Sequence, residues 1–481
     1  MDAPREQPAP PARAPSLGMA VGLWVVAGAL TIGLRPLRDN SFLTHLATGR
    51  LILDRGSVPS IDPYTFTASG EPWVVQSWLA SYLYASAEAV GGATGLRLLM
   101  GLVAAALVGV AWRLTRAAES VVVRLGIGVL FVGVGAGLWA ERPLMLGLLA
   151  LAAVVLAAEG GLDPRWMLPI GWCWVNAHGS FPLGLAYLVV VLVGRRLDGM
   201  GWAGAELRTL RWTALGVVAG AVGPLGPRVL LFPLELVQRQ DVLSNVIEWR
   251  APTFDAFSQR LFLLQLALAI VWLVRRPTYR SGLVLAVFAV AALLGARNLS
   301  VASLVLLPGM SAAAPTWGTL RTGARTSLAR LVAVAALAAW AVLTVARLSQ
   351  PPYELRGYPV DALAFLAEAN VDLRDTRLAG QDVVGNLLEV VYGPEGIVFY
   401  DDRFDMFPDA VSAAHLALVR AAPGVDEELD RQGVTLVVWE RGAAMGQRLV
   451  VDPRWRVLYT DEKVVLACRR GLPVGGTVGT C

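Results

Sequence analysis

The residues best suited to chemistry lie between Arg38 and Tyr82, where His45, one of three histidines in the chain, stands among carboxylates. The acidic residues of this stretch are Asp39, Asp54, Asp62 and Glu71. Proline and glycine recur there at a density that favours tight turns over a long helix. We therefore predict an ordered loop, directly after an apolar segment, whose ionisable groups could move protons at a membrane face.

Further polar side chains stand in four other connections between apolar segments. For each side chain alone, a loop-ordering hydrogen bond or a solvated charge is as good an explanation as a role in a site. Five loops that converge on one face nevertheless predict a cavity there. The polar residues at this face are Asp39, His45, Asp62, Gln76, Glu141, Arg142, Asn176, His178, Gln238, Glu248, Trp249, Arg297 and Asn298.

Composition predicts the elements that position these residues. The 481 residues are 56% hydrophobic, with a mean hydropathy of +0.56 and only 16% charged residues, whereas a soluble domain carries about 25%. This indicates a polytopic membrane protein, a helix bundle of about eleven spans. The apolar segments are 17–34, 94–112, 120–139, 143–158, 166–177, 180–194, 212–229, 260–274, 281–296, 298–313 and 327–348.

Two of these segments, 166–177 and 180–194, are open to two interpretations. A membrane span needs about 20 residues, and the first of the pair is shorter and is followed by Asn176, His178 and Gly179. The pair is therefore either two spans or a re-entrant segment. Everything downstream would change sides if one span were lost.

Arginine placement predicts the orientation of the chain. Alternate connections are rich in arginine, which the positive-inside rule assigns to the cytoplasm. We predict a multi-pass plasma-membrane protein with a disordered cytoplasmic amino terminus (1–16), a membrane domain (17–349) with a large outer loop (35–93), and an extracytoplasmic carboxy-terminal part (350–481). The arginines are Arg5 and Arg13; Arg113, Arg116 and Arg124; Arg195, Arg196, Arg208 and Arg211; Arg275, Arg276 and Arg280; and Arg321, Arg325 and Arg330.

The pattern changes after Pro351 and Pro352, and we call residues 350–481 the tail. Its length suffices for a small α/β domain. We predict helices near 360–369, 409–420 and 425–432, and strands at 376–380, 396–400, 434–440, 455–460 and 463–468. The acidic turn 401–405 could ligate a metal, but Arg403 within it favours a structural salt bridge.

The remaining composition excludes some classes of protein. Basic residues fall at the ends of apolar segments and form no dense patch, so no nucleic-acid partner is expected. Three cysteines give no disulfide framework. Cys173 lies in an apolar segment, where a small buried thiol is expected, and Cys468 and Cys481 could pair.

The first loop and the order of segments resemble a known family. An aspartate after the first span, a large outer loop, about eleven spans and an outer carboxy-terminal domain are similar to the GT-C membrane glycosyltransferases, and in particular to a bacterial subgroup of predicted glycosyltransferases. The resemblance covers nearly the whole chain. It rests on Asp39, His45-Leu46, Gly49, Ile52, Gly56, Pro59, Asp62-Pro63, Gly70, Pro72-Trp73-Val74, Trp78-Leu79, Arg142-Pro143, Asn176-Ala177-His178-Gly179-Ser180, Glu248-Trp249, Arg297-Asn298 and the turn 401–405.

The resemblance implies transfer of a sugar from a polyprenyl-phosphate donor to an extracytoplasmic glycan, lipid or protein. Asp39 would be the general base that removes the proton of the acceptor hydroxyl, unless it is an interfacial aspartate paired with Arg35 or Arg38. Arg142, Arg297 and His178 would bind the phosphate. Trp73, Trp78 and Trp249 could stack on sugar or anchor the interface.

The sequence departs from the subgroup at two places, and these departures bear on metal binding. Ser41 stands where many members have a second acid, and Gln76-Ser77 stands where they have His-Glu. A divalent ion such as Mg²⁺ or Mn²⁺ prefers several oxygen ligands, and Asp39 with Asp62 alone would leave it mostly hydrated. The sequence therefore does not establish a metal or any other cofactor.

Two other classes of function stay open. A transporter of a lipid-linked substrate would carry its ionisable groups within the spans near the midplane, whereas here they lie at segment ends and in outer loops. A non-catalytic protein of cell-envelope glycan assembly would keep the loops and lose the base. This second alternative agrees with the presence of Ser41 and Gln76-Ser77 at positions where many members of the subgroup have acids.

Overall fold

The computed structural model describes residues 15–238, 247–318, 320–324 and 326–481. The predicted disordered amino terminus lies almost wholly outside these ranges. Helices make up most of the chain as far as Leu348, and a small mixed sheet with further helices follows. The prediction of a mainly helical chain that ends in a mixed α/β segment is confirmed.

Most helices before the tail are apolar along most of their length, and a helix satisfies its own backbone groups, as is required inside lipid. Four of them begin with a serine or threonine, Ser16, Ser120, Thr278 or Thr326, whose side chain accepts a hydrogen bond from a first-turn N–H. The helices are α1 (Leu17–Gly33), α2 (Asn40–Arg55), α3 (Trp78–Leu114), α4 (Val121–Ala136), α5 (Leu144–Ala158), α6 (Met167–Ala177), α7 (Pro182–Leu197), α8 (Ala205–Ala219), α9 (Arg228–Gln238), α10 (Phe257–Arg275), α11 (Tyr279–Leu294), α12 (Leu299–Val305), α13 (Leu307–Ala313) and α14 (Ser327–Leu348).

Within the described ranges, three helices are long and apolar enough to cross a membrane: α3, α10 and α14. Shorter apolar helices, α1, α4, α5 and α11, accompany them. The uncertain pair forms two separate helices, α6 and α7. The segment predicted at 212–229 is wrong in its bounds, since α8 ends at Ala219 and the glycines and prolines of 220–227 interrupt the helix. The total of about eleven spans stays a prediction.

The arginine-rich connections meet at one end of the bundle. Arg280 pairs with Glu159 at 2.5 Å, and Arg321 pairs with Glu119 at 2.8 Å. The start of α1 joins the same end, where the Leu17 N–H donates to the Ala324 carbonyl. The first loop and the start of the tail contact each other, because Leu37 and Tyr353 form a backbone bridge. Which end of the bundle faces the cytoplasm stays a prediction.

The first loop contains a helix that the sequence interpretation did not predict. The expectation of turns rather than a long helix is wrong for α2, whose Phe42, Leu43 and Leu46 are buried in one apolar cluster and whose Leu51 is buried in another. The proline and glycine residues begin only after it, and Gly56 ends the helix in the left-handed conformation, with a φ of 66°. A Cβ on Gly49 would lie 1.9 Å from the Ser81 carbonyl oxygen of α3. Gly49 thus permits the close packing of α2 on α3.

The tail contains every predicted helix and strand except one strand, and it also contains two helices, at 382–392 and 444–451, that were not predicted. Its helices are α15 (Val360–Glu368), α16 (Asp382–Tyr392), α17 (Asp409–Val419), α18 (Val425–Arg431) and α19 (Ala444–Val451). The strands β1 (Leu378–Gly380), β2 (Leu436–Glu440), β3 (Trp455–Thr460) and β4 (Val464–Arg469) form one sheet in the order β1-β2-β4-β3, with β1 parallel to β2. Short strands β5 (Pro473–Gly475) and β6 (Gly479–Thr480) pair at the end.

The exception is the strand predicted at 396–400. This apolar segment makes only a single bridge, and its partner is the first loop rather than the sheet. The Phe66 N–H donates to the Val398 carbonyl at 3.0 Å, and the Val398 N–H donates to the Tyr64 carbonyl at 3.0 Å. The apolar residues are there because they complete a core shared with the first loop.

The first loop and the tail share this hydrophobic core. Tyr64, Ala68 and Trp73 of the loop are buried in one cluster with residues from Ala362 to Val474. At its centre Arg403 pairs with Asp401 at 2.6 Å, Asp62 at 2.8 Å and Glu389 at 3.4 Å. The three carboxylate side chains are completely buried. The turn 401–405 therefore contains the structural salt bridge that its arginine favours.

The cysteines differ from expectation at one position. Cys468 and Cys481 form a disulfide with a Cα–Cα distance of 6.0 Å, so the pairing left open by the sequence is made. The buried environment expected for Cys173 is wrong, because this side chain lies on the exposed surface of α6.

Candidate active site

A cavity of about 570 Å³ lies where the first loop, the bundle and the tail meet. Its walls come from the start of α2, the loop at 73–77, the connections at 142–144, 178–183 and 294–298, helix α9, and the tail turn at 402–405. Because each wall belongs to a different segment, the cavity exists only in the folded chain. Most of these connections are those whose polar residues the sequence singled out.

The cavity brings together eight of the twelve predicted site residues: His45, Gln76, Arg142, His178, Glu248, Trp249, Arg297 and Asn298. Asp39 lies one layer behind the wall, in contact with Arg142. Asp62, Trp78 and Asn176 do not line the cavity. Their contacts, described below, hold the wall in place.

Arg142 is at the centre of the polar wall. Its Nε lies 2.8 Å from both carboxylate oxygens of Asp39, and its NH1 donates to Glu248 at 2.5 Å. Behind it, Glu141 accepts hydrogen bonds from the Asp39 N–H at 3.3 Å and from Arg35 at 3.2 Å. As an interfacial aspartate, Asp39 was predicted to pair with Arg35 or Arg38. Its partner in the structure is Arg142 instead. These bonds fix Asp39 and Arg142 as one ion pair.

Arg297 marks a different part of the cavity. Its guanidinium lies over the Trp249 ring, 4.2 Å from the centroid, a cation–π contact. Within the part of the chain that the structure describes, Arg297 forms no ion pair within 4 Å, although Glu248 also acts on its charge. Arg142 forms two such pairs. Arg297 is therefore the wall's cation best able to accept an anionic ligand.

Two histidines of the wall are neutral. Burial lowers the pKa of His178 to about 3, with Arg297 adding to the effect, and lowers that of His45 to about 4. His178 Nδ1 accepts a hydrogen bond from the Ser180 N–H at 3.2 Å. The proton of the neutral ring is therefore on Nε2. His178 can donate one hydrogen bond without bringing a charge.

One wall of the cavity is apolar. Helix α9 contributes Phe232, Pro233, Leu236 and Val237, and α11 contributes Leu294. Val237 is 51% exposed, so this wall continues to the outer surface of the molecule. The cavity can therefore hold a ligand with a charged head and an apolar chain. Sequence reasoning missed this wall, because it treated 230–259 as a loop.

Comparison with solved structures identifies the fold. The archaeal oligosaccharyltransferase AglB from Archaeoglobus fulgidus, solved with an inhibitory peptide and a dolichol-phosphate, matches 88% of this chain and 69% of its own at a TM-score of 0.50 and 14% identity. The chain has the fold of this transferase. The resemblance to GT-C membrane glycosyltransferases is thereby confirmed at the level of the fold.

Two further GT-C structures match with lower TM-scores. ArnT from Cupriavidus metallidurans, bound to undecaprenyl phosphate, covers 94% of this chain and 97% of its own at 15% identity and a TM-score of 0.46. The mycobacterial arabinofuranosyltransferase AftD covers 94% and 40% at 14% identity and a TM-score of 0.45. No protein-family model matches the sequence, and no curated protein matches it.

Three predicted site residues support the GT-C-like cavity from behind. Asp62 accepts hydrogen bonds from the Tyr64 and Thr65 N–H groups at 3.1 Å and pairs with Arg403. Asn176 accepts from Trp78 Nε1 at 2.7 Å and donates to the Gly220 carbonyl at 3.2 Å. These contacts tie the first loop to the tail and to α6, and so position the wall.

Residues that the sequence interpretation left out of the site also line the GT-C-like cavity. They include Ser41, Thr44, Ser180 and, from the tail, Asp402 and Asp405. The signal available was the acidic turn 401–405, but a sequence does not show which of its acids face a distant loop. Asp401 turns inward to Arg403, whereas Asp402 lies at the cavity.

The two carboxylates considered as metal ligands, Asp39 and Asp62, are each paired with an arginine. Within the described residues, no group of three His, Cys, Asp or Glu side chains is arranged to hold one. Both oxygens of Asp39 contact Arg142, and Asp62 is committed to Arg403. We therefore derive no step through a metal.

Proposed function

We propose that this protein transfers a sugar from a polyprenyl-phosphate donor to an acceptor on the outer face of the membrane. The observation that carries the proposal is a cavity that combines an apolar wall reaching the molecular surface with a cation, Arg297, that forms no ion pair with a carboxylate among the described residues. A lipid-linked phosphate has an anionic group that complements Arg297 and an apolar chain that complements the apolar wall. The GT-C-like fold supports the same assignment.

The donor phosphate would lie against Arg297 and the Nε2–H of His178. A guanidinium forms charge-assisted hydrogen bonds to phosphate, and a neutral donor adds one more. The polyprenyl chain would lie along the apolar residues of α9. The sugar would then occupy the centre of the cavity, beside Arg142.

Asp39 is the proposed general base. As the acceptor oxygen bonds to the anomeric carbon, its proton would pass to Asp39, and the bond from that carbon to the phosphate oxygen would break. The electron pair leaves with the polyprenyl phosphate. Attack opposite the leaving group inverts the anomeric centre. For Asp39 to accept the proton, Arg142 must shift part of its contact to the bound substrate.

The direct test uses the full-length protein in lipid nanodiscs with undecaprenyl-phosphate-linked glucose, mannose and arabinose. Envelope membranes from a strain that lacks the protein supply the acceptor. We expect one donor to release undecaprenyl phosphate and to label the acceptor. If no donor reacts and the deletion strain keeps every surface glycan unchanged, the transferase assignment is wrong and a non-catalytic role replaces it.

Arg297→Gln should weaken binding of undecaprenyl phosphate by about tenfold to a hundredfold. The reason is the loss of a charge-assisted hydrogen bond, which contributes about 1.5–3 kcal/mol. Binding is measured by titrating undecaprenyl phosphate into nanodiscs. Arg275→Gln, at an exposed position on the last residue of α10, is the matched control. Equal affinities of the two variants would place the phosphate elsewhere.

The tail is proposed to be extracytoplasmic. The Cys468–Cys481 disulfide supports this side, because disulfides persist in oxidising compartments. Alkaline phosphatase fused after residue 349 should be active, and a reporter that works only in the cytoplasm should be silent at the same position. The reverse pattern would show that the orientation is inverted.

A further inference from the structure

Asp402 reaches the cavity from the tail, far along the chain from every other polar residue of the wall. Helix α16 holds it there. The Asp402 N–H donates to Asn386 Oδ1 at 3.2 Å, and the same oxygen accepts from Thr44 Oγ1 of α2 at 2.9 Å. Asn386 is fully buried. One side chain thus fixes the position of Asp402 relative to the first loop.

A glycine brings this turn close to α16. A Cβ on Gly385 would lie 2.0 Å from the Tyr400 carbonyl oxygen. Only glycine permits this approach without a shift of the backbone. Arg403, the next residue after Asp402, is locked in the buried ion cluster. The side chain of Asp402 is therefore held at the cavity by contacts on both sides of it.

The charges around Asp402 are mixed. Those that act on it are Arg142 from the bundle, Asp382 from α16 and Asp401 from its own turn, and the Ser41 hydroxyl and the Tyr358 phenol also interact with it. Burial raises the pKa of Asp402 to about 7, with Asp401 and Asp382 adding to the rise and Ser41 and Arg142 opposing it. Asp402 therefore changes charge near neutral pH.

Arg142 interacts with carboxylates from two distant segments. Asp39 of the first loop and Asp402 of the tail both act on its guanidinium, whereas the Arg297 guanidinium lies over the Trp249 ring. With the donor phosphate at Arg297, we place the acceptor beside Asp39 and Asp402, where Asp39 would act as the base. An ionised carboxylate only accepts hydrogen bonds, so its natural ligand there is a hydroxyl group.

We propose that Asp402 binds the acceptor by accepting a hydrogen bond from a hydroxyl next to the one that reacts. The acceptor is then a saccharide or another polyol rather than a group with a single hydroxyl. This inference rests on the proposed function and on Asp39 as base. Asp402 takes no proton in the transfer step, because the proton of the reacting hydroxyl goes to Asp39.

The test compares wild type with Asp402→Asn in the nanodisc assay, using the reactive donor and acceptor membranes. At about pH 8 the variant should show a kcat/KM for acceptor about tenfold to a hundredfold lower, since a hydrogen bond to a charged group is lost. At about pH 5.5 the two should agree within about threefold, because Asp402 is then uncharged in wild type too. The ratio of the variant rate to the wild-type rate at each pH removes the effect of groups that titrate in both proteins.

Two controls separate binding from folding. Asp409→Asn, an exposed change in the same tail, should behave as wild type at both pH values. Asp402→Asn should keep the wild-type affinity for undecaprenyl phosphate, since Arg297 is untouched. A rate loss that is equal at both pH values would show a structural role and overturn the inference. Wild-type kinetics in the variant would also overturn it while leaving the proposed function intact, and an inactive wild type would remove the proposed function itself.

Discussion

Asp39→Asn should lower the rate of sugar transfer about a hundredfold to ten-thousandfold, the range expected when a general base is removed. Asparagine keeps the size of the side chain and one oxygen that can accept from Arg142 Nε, so one hydrogen bond remains although the ion pair is lost. What it loses is the ability to take the proton of the acceptor. The rate is measured in the nanodisc assay at saturating donor, alongside undecaprenyl phosphate binding, which should be unchanged.

Asp54→Asn is the matched control for this prediction, because Asp54 belongs to the same loop but is exposed at the end of α2. It should retain the wild-type rate. Full activity of Asp39→Asn, at a normal level of folded protein, would show that Asp39 serves only to hold Arg142. The base would then have to be sought among the other carboxylates of the wall.

Arg403→Met should destabilise the contact between the first loop and the tail by about 3–5 kcal/mol, the range for removing one partner of a buried ion pair. The side chain is 5% exposed and neutralises carboxylates that are completely buried. Burial raises the pKa of Glu389 well above its usual range, so this acid adds little negative charge. Asp62 and Asp401 would be left without their cation.

The expected readouts are a lower apparent Tm in detergent and rapid proteolysis of the first loop between residues 60 and 75. Arg374→Met, which removes an exposed arginine of the same tail, is the control and should leave both unchanged. Arg403→Lys should give an intermediate loss, since an ammonium keeps the charge without the planar fork. If Arg403→Met matches the control, the cluster does not hold the two segments together.

The sequence predicted best what depends on local pattern. The bundle helices and most strands of the tail were found from runs and alternations of apolar residues, and the cavity from polar groups in alternate connections. The missed features depend on tertiary contacts. Helix α2 was hidden by the prolines and glycines that follow it, although Phe42, Leu43 and Leu46 have helical spacing. The segment 396–400 looked like a strand because it is apolar.

The candidate site was predictable to the extent that connections on one face must meet. The sequence could not predict which acids line the wall. Asp402 lines it and Asp39 lies behind it, and the two differ only in the neighbours that the fold gives them. Asp62 illustrates the opposite error. It has the residue type of a ligand and stands in the expected loop, yet its oxygens serve the backbone of that loop and Arg403.

The shared core of the first loop and the tail also constrains biosynthesis. Thr67 donates to the Phe399 carbonyl across 332 residues of sequence. At about 5–20 residues per second, the ribosome needs roughly 17–66 s to make the segment between them. During this time Tyr64 and Trp73 lack the tail residues that bury them. The site is therefore completed only after the tail has been synthesised, and until then the unfinished chain exposes apolar surface that chaperones and proteases recognise.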